Sequence, residues 1–297
     1  MSLALESLSR VRLLGGDLDL LTPSNLLAFV AECIEDGRKA IIANHNAHSL
    51  ALIRRDPEMD AFYRMADLVE IDSMPLIAWG RAMGAPLGRR HRCTYLGWRA
   101  QFWSAAQENG WRVYYLGGGP HVAEKAAERI RQAWPGVEIA VHHGFFEKSA
   151  SSAANEEVVR AIRNFAPDIL FVGLGMPLQE KWIAANHHRF DYGVLIPVGA
   201  AFDYEAGAQV TPPRWIGRLG LEWLFRFATQ PRRLFARYFI EPWALIGPAL
   251  DDVNSNFRIG ERVANLRVST WSPRLIGIRP RRASLAGITS LSQATRR

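Results

Sequence analysis

Residues 168–182 read DILFVGLGMPLQEKW, and the reading of this stretch decides the fold. Asp168 to Val172 is a short apolar run with the length and branching of a buried strand. Gly173 and Gly175 follow, where a backbone turns tightly or approaches a neighbour closely. Pro177 suits a first helical turn, because its missing N–H falls where a helix start has no internal partner. Gln179, Glu180 and Lys181 then occupy the opening turns of a helix that continues through Trp182 and Ile183. A strand, a glycine turn and a helix N-terminus together offer backbone N–H groups to an anion. Gln179 adds an amide that both donates and accepts at that mouth. The same junction also serves as a packing turn, so the rest of the chain has to decide between the two.

Working outward, apolar runs at 39–43, 68–71, 111–116, 138–142 and 193–198 alternate with helical patterns at 26–35, 57–66, 77–83, 98–109 and 155–164. The opening stretch 11–20 reads as a strand or hairpin turning near Gly15, Gly16 and Asp17. Alternation at roughly 20–30 residue spacing predicts βαβ units, and so an α/β fold with a Rossmann-like parallel sheet flanked by helices. Such sheets bind ligands beyond the carboxyl ends of their strands. The residues to examine are therefore Asn44, Asn46, Asp72, Gly117 to Gly119, Gly173 to Gln179 and Gly199 to Asp203.

A chain of 297 residues with 48% hydrophobic content can bury a substantial core and carry a second module. Its formal charge of +7 favours anionic partners, whether nucleic acid, lipid headgroups or a phosphorylated substrate. The arginines gather with tryptophans near the end rather than across the sheet, and the sequence carries no recognised nucleic-acid module, which argues against nucleic acid. Cys33 and Cys93 are too few for a disulfide framework and suit a reducing cytoplasm. The opening MSLALESLSRVRLL places an acid and arginines within its apolar part, so no signal peptide is expected. No apolar run approaches the length of about 18 residues that would span a bilayer.

The character changes after Pro212. Residues 214–246 combine Arg214, Arg218, Arg226, Arg232, Arg233 and Arg237 with Trp, Phe and Leu, against only Glu222 and Glu241. Helices with an aromatic and aliphatic face and an arginine face suit a membrane interface; a helical hairpin packed on the core is the alternative. The expected organisation is an α/β domain over 1–213, a membrane-associating helical appendage over 214–248, and a basic, disordered tail over 249–297.

Several positions carry candidate chemistry. Asp72 at a strand's carboxyl end is placed to act as a general base, or to cap the following helix. Asn44 and Asn46 share parity and would face one side, where they bind a ligand or close a turn. Arg90 lies in the basic stretch 89–92, which suits a pyrophosphate or solvent. Gly117 and Gly118 sit in a glycine turn after a strand, without the G-x-G-x-x-G spacing of a dinucleotide site. Asp17-Leu18-Asp19 spells D-x-D, a pattern that can hold a nucleotide-bound metal, yet has no second carboxylate nearby in sequence. The adjacent pairs His142-His143 and His187-His188 point apart on any regular element.

These positions together resemble the WecG/TagA/CpsF glycosyltransferases, glycosyltransferase family 26, over residues 11 to 246. The marks are RDPEMDAFYRMADLVEID (55–72), YYLGGGPHVAEKAAERI (114–130), PDILFVGLGMPLQEKW (167–182), VGAAFDYEAG (198–207) and LEWLFRFATQPRRLFARY (221–238). The resemblance implies an inverting, metal-independent enzyme with no cofactor. It would move a sugar from a nucleotide sugar, a UDP-sugar, to a polyprenyl-pyrophosphate-linked sugar in extracellular polysaccharide or cell-wall glycopolymer synthesis. It would work in the cytoplasm, peripheral on the inner face of the bacterial plasma membrane, and a homo-oligomer is compatible with it. The family's base falls on Asp72, its active-site Asn on Asn46, its Arg on Arg90 and its Gln on Gln179. Its basic C-terminal region, which closes over the site and meets the membrane, falls on 214–241, including Arg214, Arg226 and Arg233. Backbone N–H groups near Gly175 would join Arg90 and Gln179 in stabilising the departing diphosphate.

The chain departs from the family pattern at Asn44, where a Thr is usual, at Ser73, where a Gly follows the base, and at 91–95, which lacks G-[ST]-D. These changes bear on the donor sugar, hexose or N-acetylhexosamine, more than on the reaction. An NAD-dependent oxidoreductase using the Gly117 turn, and a non-catalytic, membrane-associated nucleotide-binding protein, are the rival readings.

Overall fold

The computed structural model describes residues 8–209, 222–229, 231–258 and 269–270. Strand β7, Ile169–Gly173, lies inside a six-stranded parallel sheet with β3 (Ala40–His45), β4 (Leu68–Ile71), β5 (Arg112–Gly117), β6 (Glu138–His142) and β8 (Val194–Pro197). The spatial order is β4–β3–β8–β7–β5–β6. Phe171 pairs with Tyr115 on one side and Ile196 on the other. The expected α/β architecture with a Rossmann-like parallel sheet is what forms.

Period two explains why the central strands read as unbroken apolar runs. Ile169 and Phe171 face one layer, with Val113, Tyr115, Val194 and Ile196 beside them. That layer is built on helices α1 (Pro23–Glu35), α5 (Tyr95–Glu108) and α6 (Val122–Ala133). Leu170 and Val172 face the other layer, built on α3 (Pro57–Met65), α7 (Ala153–Phe165) and α8 (Leu178–Asn186). Phe171 is the aromatic centre of its face, with the rings of Tyr95, Trp98, Phe102, Trp103 and Phe202 5.1–6.2 Å away.

Aspartates brace the sheet through backbone N–H groups. Asp168 accepts from Arg112 N at 2.8 Å and Asp67 from Ile41 N at 2.9 Å. The D-x-D pair belongs to the same class of brace. It ends the hairpin of β1 (Ser9–Leu13) and β2 (Gly16–Asp19). Asp19 is fully buried, meets Arg10 through both oxygens at 2.7 Å and accepts from Val69 N. Asp17 pairs with Arg12 at 2.9 Å.

After α9 (Ala201–Glu205) the described chain resumes with helices Glu222–Thr229 and Pro231–Phe235, a π-helical turn Ala236–Ile240 and a 3₁₀ turn Glu241–Leu245. The helix Ile246–Arg258 follows, so residues 249–258, expected within a disordered tail, are helical. Asp252 explains this: its carboxylate accepts from Leu14 N at 2.9 Å and from Trp79 Nε1 at 2.8 Å, tying the helix to the hairpin and to α4 (Met74–Ala82). Ser269–Thr270 adds a short antiparallel strand to β1. The rest of the expected tail lies outside the described residues. Among the described residues no helix is long and apolar enough to cross a membrane.

Gly173 ends β7 with no room for a side chain. A Cβ there would stand 2.5 Å from Tyr115 Oη and 2.6 Å from the Gly199 carbonyl oxygen. The Gly173→Ala variant is expected to lose about 1–3 kcal/mol of stability, the usual cost of overpacking, measured by urea denaturation; an unchanged midpoint would show that this contact yields freely.

Candidate functional site

The carboxyl ends of β3, β4, β7 and β8 open on one cavity of about 410 Å³. Strand β4 brings Asp72 to it. Pairing continues one residue past the strand, with Asp72 N donating to His45 O at 3.0 Å and Cys93 N donating to Ile71 O at 2.9 Å. The N-cap position of the helix that follows falls on Ser73, whose side chain makes no cap bond, and not on Asp72. Asp72 precedes the N-cap position and lines the cavity.

Asn44, Asn46, Gly175 and Gln179 line the same cavity, so the structure brings these nominated residues together with Asp72. Each amide also has structural duties. Asn44 Nδ2 donates to Pro197 O at 2.9 Å, stitching β3 to β8. Asn46 caps α2 (Ala47–Ile53), its Oδ1 accepting from Ser49 N, which leaves its Nδ2 donors as what it can offer a ligand. Gln179 is buried; its Oε1 accepts from Gly199 N at 3.0 Å and its Nε2 donates to Glu180 at 2.8 Å. That amide locks the loop after β7 to the loop after β8. The helix α8 starts at Leu178, so Pro177 precedes it rather than opening it, and Gly175 makes the turn at φ +78°.

Other nominated residues lie elsewhere. Arg90 is exposed and outside the cavity lining, with its Nε on His91 Nε2 at 3.1 Å. Arg92 lines the cavity instead, because a parallel bridge to Ile71 holds it against the end of β4. Its Nε donates to Asp72 O at 3.3 Å. Gly117 and Gly118 are also outside the lining; the turn packs on Gly173, whose carbonyl accepts from Gly118 N at 3.4 Å. Arg214 lies outside the described residues, as do the side chains of Arg226 and Arg233. Among the described residues, Arg237 is the arginine of the C-terminal segment that lines the cavity.

A clamp places Arg237. Four residues on, Glu241 accepts from Arg55 Nη2 at 3.1 Å and pairs with His48 Nδ1. Burial and Arg237 lower the His48 pKa, against the pull of Glu241. His48 stands on α2 beside Asn46, so the clamp ties the C-terminal turns to the strand ends.

A second cavity of about 560 Å³ adjoins the first. The two share Asn46, His48, Asp72, Arg92, Arg237 and Tyr238. Beyond them its walls are largely apolar, with Leu14, Met74, Leu76 and Trp79 facing Phe239, Leu245 and Ile246. A polar chamber and an apolar one thus meet at Asp72 and two guanidinium groups.

Two acids that sequence reading did not single out lie beneath this region. Glu180 is fully buried, with its pKa lifted to about 7 by burial. Glu70, two residues before Asp72 on β4, lines the polar cavity while only 4% exposed. The signal for Glu70 was in the sequence, since a charged residue interrupts an otherwise apolar four-residue strand.

Residues 11–256 match the Glycosyl transferase WecG/TagA/CpsF family. Proteins of Staphylococcus aureus strains NCTC 8325 / PS 47 and MRSA252 are similar to the chain. Both are named N-acetylglucosaminyldiphosphoundecaprenol N-acetyl-beta-D-mannosaminyltransferase. Each is 26% identical over 236 residues, which cover 76% of this chain and 87% of the relative.

Glu180 gives a measurable pH signature. The unfolded chain ionises it near pH 4.5, whereas the folded chain keeps the proton to about pH 7. The folded state therefore binds more protons in that interval, and stability falls as pH rises through it. His45 acts oppositely: burial lowers its pKa from 6.5 to about 3, so its contribution falls as pH drops below 6.5. Comparison with Glu180→Gln isolates the first effect. The variant is expected to gain on the parent between about pH 4.5 and 7, by at most about 1.4 kcal/mol per pH unit, in urea denaturation series. Parallel curves would show that Glu180 is ionised throughout.

Proposed function

The chain belongs to the WecG/TagA/CpsF glycosyl transferase family, and from that premise we propose that it moves a hexose or N-acetylhexosamine from a UDP-sugar to a polyprenyl-pyrophosphate-linked sugar. The observation that carries the reading is the meeting of a polar and an apolar cavity at Asp72, Arg92 and Arg237. A nucleotide sugar is polar and anionic, whereas the acceptor joins a sugar and a pyrophosphate to a hydrocarbon chain. Chambers of about 410 and 560 Å³ sharing one carboxylate match that pair of chemistries. The relatives' names include an undecaprenol-linked acceptor, which supports the same assignment.

The chemistry follows in one displacement. Asp72 takes the proton of the acceptor hydroxyl, the oxygen attacks the anomeric carbon, and the bond to the UDP oxygen breaks with inversion. Negative charge grows on the departing diphosphate. Arg92 and Arg237, at the junction, and backbone N–H groups near Gly175 stabilise it, most effectively where water is excluded. This supply of positive charge fits catalysis without a metal ion. Asn46 orients a substrate through its Nδ2 donors, and Gln179 keeps two loops of the donor chamber in register.

The C-terminal segment presents a patch for the membrane. Phe235, Phe239, Ile240, Trp243, Ile246 and Leu250 are 45–71% exposed, and Arg232 is exposed beside them. An aromatic and aliphatic surface of this kind, with arginines alongside, suits an anionic bilayer surface. The enzyme would then sit on the cytoplasmic face, where its lipid-linked acceptor opens into the apolar chamber.

Asp72→Asn is expected to fold normally and to lose about 10²–10⁴ in turnover. The assay is mass spectrometry of a short-chain lipid-pyrophosphoryl-sugar acceptor incubated with a panel of UDP- and GDP-sugars and EDTA. Near-native turnover in that variant would remove Asp72 from the chemistry, and activity that chelation abolishes would overturn metal independence. For the membrane reading, the double variant Ile240→Ser, Trp243→Ser is expected to float less with anionic vesicles than the parent chain; equal flotation would assign the patch another purpose.

A further inference from the structure

The polar cavity does not stop at Asp72. Glu70 stands two residues earlier on β4, on the same face of the strand, about 6.6 Å deeper along the sheet. Register pairs it with Asn44, which lines the same cavity. Its side chain is 4% exposed, and its Oε2 has no hydrogen-bond partner. Trp98 of α5 lines this floor too; it is 1% exposed, and its indole N–H also has no hydrogen-bond partner. A buried polar atom without a partner loses its hydration and gains nothing in return, which costs stability. Two side chains that each carry such an atom and line one cavity point to a ligand that supplies what the protein withholds.

Position identifies the ligand. In the transfer reading above, on which this inference rests, the anomeric carbon lies close to the hydroxyl that Asp72 activates. The part of the donor within one ring of that carbon is the transferred sugar, because ribose and uracil lie beyond two phosphates. We infer that Glu70 and the Trp98 indole form the floor of the donor-sugar subsite and determine which hexose is accepted, by hydrogen bonding its ring hydroxyls. A hydroxyl accepts from the indole N–H and exchanges a hydrogen bond with a carboxyl group. Burial and the neighbouring Asp72 push the Glu70 pKa well above the usual carboxylate range, so the carboxyl keeps its proton and can donate. That state also spares Asp72 a second negative charge on its own strand.

The test separates sugar from nucleotide. Affinities of the full chain for UDP alone, and for the UDP-hexose that the parent binds most tightly, are measured by titration calorimetry without acceptor. Glu70→Leu is expected to weaken the UDP-hexose by about tenfold or more, the worth of one or two hydrogen bonds, and to leave UDP unchanged. Glu70→Gln keeps a hydrogen-bonding group of the same size. It is expected to weaken the UDP-hexose by at least about threefold and to alter the order of preference among UDP-hexoses. Should the leucine variant not fold, the glutamine variant decides alone. Equal losses for UDP and UDP-hexose, or none for either, would overturn the subsite. The result is distinct from a failure of the transfer reading. Full turnover in Asp72→Asn with a sugar-specific loss in the Glu70 variants would remove the base and keep the subsite, and the converse would do the reverse.

Discussion

The contact on which the site depends is the backbone approach at Gly173. Strand β7 ends there between the Tyr115 hydroxyl and the Gly199 carbonyl, both closer to the glycine than any Cβ would allow. Tyr115 is held in turn by a stack on Phe202, 3.6 Å apart and 5° from parallel. The loops after β5, β7 and β8 are therefore drawn together by the absence of a side chain rather than by an attraction. Once they are close, specific bonds form: Gly118 N to Gly173 O, and Gly199 N to the Gln179 amide. The polar cavity is bounded by this arrangement, since Gly175, Gln179, Pro197 and Gly199 all line it.

Much of this was written in residue pattern. The run 168–172 has no polar residue after Asp168 because both of its faces are covered, and a parallel strand between helical layers reads that way. Thr22 and Asp56 stand where helices begin, and both cap them. Asp72 was readable because it follows a strand directly. Arg90 and Arg92 were not distinguishable, since three arginines in four positions differ only in where the loop turns, and the bridge from Arg92 to Ile71 is a tertiary contact. Arg237 is hidden for the same reason among the arginines of 214–237. What singles it out is Glu241, one helical turn on, held by two residues of a segment nearly 200 positions earlier.

The carboxyl groups of the site follow a gradient of burial. Asp72 is half-buried at the strand end, Glu70 is covered one pleat below, and Glu180 is fully covered. Taking a carboxylate from water raises its pKa, and burial raises those of both Glu70 and Glu180. Sequences that only had to fold would place Leu or Val at such positions, as β4 does at Leu68 and Val69. Local rules broken in this way, without a compensating ion pair, are expected where a chain binds something. Asp19 shows the contrast: equally buried, it is matched by Arg10 and a backbone N–H, and its purpose ends with the fold.

Completion of the site by a separate C-terminal segment has a physical logic. In the proposed reaction, an acceptor with a hydrocarbon chain and a donor with two phosphates need opposite surroundings, and one strand-end crevice cannot supply both. The parallel sheet supplies amides and a carboxylate; the turns at 236–245 supply a guanidinium and the far wall of an apolar chamber. Because His48 and Arg55 clamp Glu241 from α2 and its C-terminal end, the segment is registered against the same helix that Asn46 caps. A shift of the segment would therefore move Arg237 and the apolar wall together relative to Asp72. In the proposed reaction, the charge that would stabilise the leaving group and the surface that would receive the lipid are thereby coupled, so a half-assembled site would lack both.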